Sequence, residues 1–301
     1  MEQQQLLQGD PHNRYLFVRD SQSSLPSSTS MPRQHAQVFE RKWELGVVFE
    51  AQLKDAGGAA TPYEMFRAAV GEFIGTLLFL FSVITIARLA LPTADSSANV
   101  ILIAFGFGLS IFGLVYIMAD VSGANLNPAV SLGLLLGKRI SVERFCVYLV
   151  AQILGALAGA GLATIFLDST SGGFNALAEG IDAADAFAGE VLCTFLLVTT
   201  VFSATDGQVG HKFKHTGALL PLSIGFAVLL DHLIMIPVDG CSINPARSLA
   251  TAITNNKWDD HWVFWVGPML GGALATIVWE AILRPEQPVS QQKAIVEAGT
   301  V

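Results

Sequence analysis

Long apolar runs separated by short polar breaks occupy the chain from about residue 61 to residue 284. Six of them, 68–87, 100–118, 145–167, 186–204, 217–238 and 262–283, are 19 to 23 residues long. A hydrocarbon core about 30 Å thick is crossed by about 20 helical residues, so each run is long enough to span a bilayer. Lipid offers the backbone no hydrogen-bond partners, which leaves helices or closed barrels, and barrel strands would be about half as long. The pattern predicts six transmembrane helices. Trp262 and Trp265 fall where an interfacial aromatic belt would hold the last of them.

Two further apolar stretches, 127–137 and 244–254, have 11 residues each, about half the helical length a membrane requires. Both open with the same tripeptide, Asn127-Pro128-Ala129 and Asn244-Pro245-Ala246. Proline directly after asparagine suits a helix start, where its missing N–H is no loss. These stretches predict half-helices. The two tripeptides lie 117 positions apart, and Gly71-Glu72-Phe73-Ile74-Gly75-Thr76 recurs as Gly189-Glu190-Val191-Leu192-Cys193-Thr194 at a spacing of 118. The chain therefore reads as two copies of a unit with three spans and one half-helix, at about 64–168 and 185–284. An odd number of spans inserts the second copy upside down. The expected fold class is an all-α membrane protein: six transmembrane helices plus two re-entrant half-helices in an inverted repeat.

Composition agrees. The 301 residues are 52% hydrophobic and 14% charged, with mean hydropathy +0.51, roughly half the charge a soluble domain carries. The net charge of −8 argues against nucleic acid as a partner. Cys146, Cys193 and Cys241 suggest no disulfide framework. Residues 1–60 hold a glutamine run and a Ser/Pro-rich stretch without apolar periodicity, and are expected to be a disordered tail; residues 285–301 form a second, shorter tail. Of the 17 lysines and arginines, 14 fall in the N-terminal tail, the loop after the first half-helix, the fourth-to-fifth connection or the C-terminal end. The excess of positive charge marks the cytoplasmic side, so both termini are expected there. The membrane domain itself is expected at 61–284.

Inverted half-helices meet N-terminus to N-terminus near the midplane. Each end carries roughly half a positive charge from its aligned peptide dipoles, and two such ends around one lumen disfavour cations, protons included. Asn127 and Asn244 would each offer an amide donor to a passing polar molecule, besides capping their helices. Arg247 lies three residues after Asn244, one turn along, and can face the same lumen; snorkelling to an interface is the alternative. No metal-ligand cluster or nucleophile accompanies these residues, so no metal, cofactor or catalysis is expected.

The stretches Ser122-Gly123-Ala124-Asn125-Leu126-Asn127-Pro128-Ala129-Val130 and Gly240-Cys241-Ser242-Ile243-Asn244-Pro245-Ala246-Arg247-Ser248 resemble the two signature loops of the aquaporin (major intrinsic protein) family, plasma-membrane type. The likeness covers about residues 64 to 284. It implies a homotetramer of multi-pass subunits in the plasma membrane, one pore each, with water as permeant. It also implies a narrow outer filter of Phe107, His232, Cys241 and Arg247, in which Arg247 and His232 supply donors and the aromatic ring and imidazole leave room for about one water. That set resembles the water-selective branch: the glycerol-conducting branch has Asp where Ser248 stands and a smaller residue in place of His232. The resemblance gives Glu72 and Glu190 a bracing role beneath the half-helix loops, helped by Gln152. Asp231, beside His232, departs from the family's apolar or small residue and faces either the bundle or a neighbouring subunit. Ser141, after Lys138-Arg139-Ile140, resembles a site where a kinase acts, though an ordinary positive loop reads the same way. His211 and His215 stand where plant relatives sense acid.

The function these expectations support is passive water conduction that excludes protons and ions. A broader facilitator of small neutral solutes (glycerol, hydrogen peroxide, ammonia, carbon dioxide), a coupled transporter using Asp231, and a closed structural protein are the rivals.

Overall fold

The computed structural model describes residues 60–90, 96–168, 172–206 and 216–285; the tails at 1–59 and 286–301, and the loop with His211 and His215, lie outside the described residues. In chain order the elements are α1 (Pro62–Ala90), α2 (Ser96–Ser122), α3 (Pro128–Leu136), α4 (Val142–Leu167), α5 (Ala183–Thr205), α6 (Thr216–Asp239), α7 (Pro245–Asn255) and α8 (Val263–Val278), the last prolonged by a π-helical turn, Trp279–Leu283. Among the described residues there is no strand. Six helices are long and apolar enough to cross a membrane, and α3 and α7 are the two half-length ones.

Most of the long helices outrun the apolar stretches because polar caps finish them. Thr61 and Glu64 form a reciprocal box: Glu64 Oε2 accepts from Thr61 N at 2.9 Å and Thr61 Oγ1 from Glu64 N at 3.2 Å, so α1 begins six residues before its apolar run. Asp182 Oδ1 accepts from the N–H groups of Ala184 and Asp185, both at 2.9 Å, and starts α5.

Helix pairing repeats along the chain. α1 lies on α4 and α5 on α8, while α2 against α6 joins the two copies. Lipid supplies no hydrophobic drive between helices, so close backbone approach holds such pairs. A Cβ on Gly155 would sit 2.4 Å from Phe73 O, one on Gly159 2.3 Å from Leu77 O, and one on Gly271 2.4 Å from Val191 O. Gly161, in the same small-residue stretch, has nothing within 4 Å and takes no part. Gly159→Leu is therefore expected to cost at least ~1–3 kcal/mol by overpacking and to lower the thermal midpoint in detergent, while Gly161→Leu leaves it unchanged. Equal midpoints would place the α1–α4 contact elsewhere.

The half-helices are exchanged between copies: α3 packs on α8 and α7 on α4. Thr276 Oγ1 of α8 donates to Gly133 O of α3 at 3.0 Å. At the end of the bundle where α5 and α8 finish, four charges close a ring. Arg139 Nη2 lies 3.1 Å from Asp206 Oδ2 and 3.3 Å from Glu280 Oε1, and Arg284 reaches the same two acids at 3.1 and 2.8 Å. In the first turn of α8, Trp265 Nε1 donates back to His261 Nε2 on the preceding loop at 3.1 Å, and partial burial holds that imidazole below its ordinary pKa.

Candidate functional site

The loops that introduce α3 and α7 are irregular backbone at membrane depth, where each unpaired group is costly. They solve this the same way. Gly123, Ala124 and Leu126 have φ of 92°, 51° and 52°; Gly240, Cys241 and Ile243, each 117 positions later, have 80°, 56° and 46°. Left-handed residues turn successive N–H groups to one side, and a carboxylate waits there. Glu72 Oε1 accepts from Asn125 N (2.9 Å) and Ser122 Oγ (2.7 Å), and Oε2 from Leu126 N (2.7 Å) and Gln152 Nε2 (2.8 Å). Glu190 accepts from Ser242 N (2.6 Å) and Ile243 N (2.7 Å). Both acids are fully buried, and these bonds occupy the oxygens a catalytic role would need free.

At the meeting point each asparagine works three ways. Asn127 Oδ1 caps its own helix at Ala129 N (2.9 Å), and Asn244 Oδ1 does so at Ala246 N (3.1 Å) and Arg247 N (3.3 Å). One amide hydrogen crosses to the other copy: Asn127 Nδ2 donates to Ile243 O at 2.7 Å and Asn244 Nδ2 to Leu126 O at 2.9 Å. An amide carries two hydrogens, so each side chain keeps one for the cavity that both line. Pro128, Ala129, Pro245 and Ala246 form the first turns behind them and are buried. The reciprocal crossing bonds mean that the two N-termini abut.

The cavity holds about 670 Å³ including its open mouth. Its wall is mostly apolar, with Val130, Leu134, Leu197, Val201 and Ile224 among the lining residues beside the asparagines and His232. His232 Nδ1 sits 2.7 Å from Val228 O and donates to it, while Nε2 has no protein partner. Arg247 offers donors there: Nη2 is held by Gly240 O at 3.1 Å, while Nε and Nη1 have no protein partner. Phe107 and His232 do not face one another across a gap. Their rings stack at 3.8 Å, tilted 31°, and the Arg247 guanidinium stands 5.6 Å from the Phe107 centroid. The two rings thus form one wall. Phe107, Cys241 and Arg247 lie beyond the cavity lining; Cys241 is fully buried, and its N–H is held by Asp239 Oδ1 at 2.8 Å.

Asp231 is fully buried within the chain, its facing polar group is the Cys193 thiol, and it is not among the cavity-lining residues. Ser141 is the N-cap of α4, its hydroxyl accepting from Arg144 N at 3.2 Å. Sequence reasoning missed the serine and asparagine ties behind the loops. Ser131 accepts from Asn125 and Gln152 (3.1 and 2.9 Å). Ser248 meets Ser242 at 2.5 Å and donates to Asn175 at 2.7 Å. Ser131 and Ser248 are 117 positions apart, the signal that would have found them.

Residues 59–279 match the family described as Major intrinsic protein. Aquaporin PIP1-2 of Musa acuminata subsp. malaccensis is 40% identical over 268 residues, covering 83% of this chain and 93% of that one. Aquaporin PIP1-3 of Arabidopsis thaliana is 44% identical over 236 residues, covering 75% and 82%. Among solved structures, the aquaglyceroporin from Plasmodium falciparum superposes with a TM-score of 0.66 at 25% identity, over 73% of this chain and 98% of that one. With its paired half-helices and a family match spanning all eight helices, the chain belongs to the major intrinsic protein family.

Proposed function

We propose that this chain is a passive, water-selective channel that moves water down osmotic gradients and excludes protons and ions. The observation that carries it is the abutting pair of half-helix N-termini, each asparagine keeping one N–H for the cavity. A water accepting both hydrogens is turned so that its own hydrogens point outward in opposite directions, which breaks a continuous proton-conducting file. The two dipole ends add a positive barrier at the same place. At the filter, Arg247 Nε and Nη1 and His232 Nε2 are left without protein partners, so a water that sheds its neighbours finds replacements; a cation meets a fixed guanidinium.

The membrane-spanning helices and the plasma-membrane-type relatives favour a homotetramer in that membrane, and the lysine and arginine bias favours cytoplasmic termini flanking a channel at 61–284. Ser141 is a candidate for a kinase, because a phosphate at a helix N-cap is favoured by the dipole. The relatives are channels and not enzymes.

A second reading, a broader solute facilitator, draws on the likeness to an aquaglyceroporin. Stopped-flow shrinkage of proteoliposomes separates the two. Water should leave far faster than from empty liposomes, with glycerol no faster than background; glycerol flux well above background would favour the broader channel.

A further inference from the structure

In both half-helix loops two successive backbone N–H groups bond a buried glutamate, but Asp239 stands in place of Ser122, and Glu190 has no counterpart of the Gln152 donor. Ser122 Oγ does two things: it accepts from Ala124 N at 3.1 Å and donates to Glu72 Oε1 at 2.7 Å. Its counterpart 117 positions on repeats the first, since Asp239 Oδ1 accepts from Cys241 N at 2.8 Å. Asp239 Oδ2 has no donor, the residue is 1% exposed, and its side chain reaches the Glu190 carboxyl. Glu190 already takes one backbone N–H on each oxygen.

A hydroxyl brings its own hydrogen to such a contact; two carboxylates bring none. Both charged, they would repel at short range in a site where even one ion is costly to desolvate. One proton turns the clash into a charge-assisted hydrogen bond. We propose that Asp239 and Glu190 share a single proton, held on Asp239 Oδ2 and donated to Glu190, and that this pair is the second loop's equivalent of Ser122–Glu72.

Asp239 is then a positioning residue for the filter. It fixes Cys241 at its φ of 56° and supplies the third donor to the acid that holds Ser242 and Ile243. Gly240 O, between Asp239 and Cys241, is what anchors Arg247. The groups facing the pair are Cys193 from α5, Cys241 and Arg247 from the second loop and α7, and Asp231 from α6 itself. With the proton in place, Glu190 contributes one negative charge beside Arg247; without it, two negative charges would outweigh the guanidinium and erode cation exclusion.

The test uses the full chain in lipid, with Asp239→Asn, Asp239→Ser and Asp239→Ala. Asparagine and serine both accept from Cys241 N and donate to Glu190; alanine does neither. The infrared spectrum of wild type should carry a protonated-carboxyl stretch that is missing from Asp239→Asn and Asp239→Ser, any contribution of Asp231 cancelling in the difference. Water permeability and the thermal midpoint should fall in Asp239→Ala and be rescued in the other two. An identical carboxyl band in wild type and Asp239→Asn overturns the proposal, as does an Asp239→Ala protein that matches wild type in both other measurements. The infrared reading needs no transport, so it stands even if the channel reading fails.

Discussion

Arg247→Val is expected to leave water permeation intact while opening the filter to cations and to solutes such as urea and glycerol. The side chain is 3% exposed, is held at one nitrogen by Gly240 O and stands over Phe107. Valine removes both its volume and its charge. A unit charge about 5 Å from a passing cation, at an effective dielectric near 20, contributes roughly 3 kcal/mol, which is about a hundredfold in cation rate. Arg247→Lys keeps the charge but not the planar fork that bonds Gly240 while presenting two free nitrogens. It should therefore retain most cation exclusion and lose part of the solute discrimination. Proteoliposome ion leak and stopped-flow solute uptake measure both. An Arg247→Val channel as tight as wild type would remove Arg247 from the lumen.

Glu72→Ala is expected to abolish the folded protein. Four donors converge on that carboxylate: two N–H groups, the Ser122 hydroxyl and the Gln152 amide. Each buried group left unpaired costs about 1–3 kcal/mol, so the sum rivals the whole stability of a typical protein. Ser122→Ala, which removes one hydroxyl, should cost only about 1–3 kcal/mol. Thermal midpoints and the monodisperse yield in detergent give the comparison. If Glu72→Ala unfolds no more readily than Ser122→Ala, the loop is held by something other than the carboxylate.

These two outcomes probe parts of the molecule that were unequally legible beforehand. Glu72 and Glu190 stand out in a chain of amino acids as charges inside apolar runs at matched positions, and the structure places each under a half-helix loop. Arg247 stands out in the same way. Asp239 does not: it ends an apolar run at a membrane edge, where an acid is ordinary, and its equivalence to Ser122 is hidden because the two residues look unrelated. Asp206 is similar, a loop acid until Arg139 and Arg284 are seen to converge on it.

Span number, the half-length of α3 and α7, and the duplication are written in one dimension, because hydrophobic length and repeat spacing are local properties that lipid thickness and backbone hydrogen bonding translate directly into helices. Those the amino acids determined alone. The exchange of half-helices between copies, the crossing bonds from Asn127 and Asn244, the stacking of Phe107 on His232 and the proposed pairing of Asp239 with Glu190 were decided only in three dimensions. Each depends on which side chains from distant helices come within about 3 Å, and no periodicity along a chain encodes that distance.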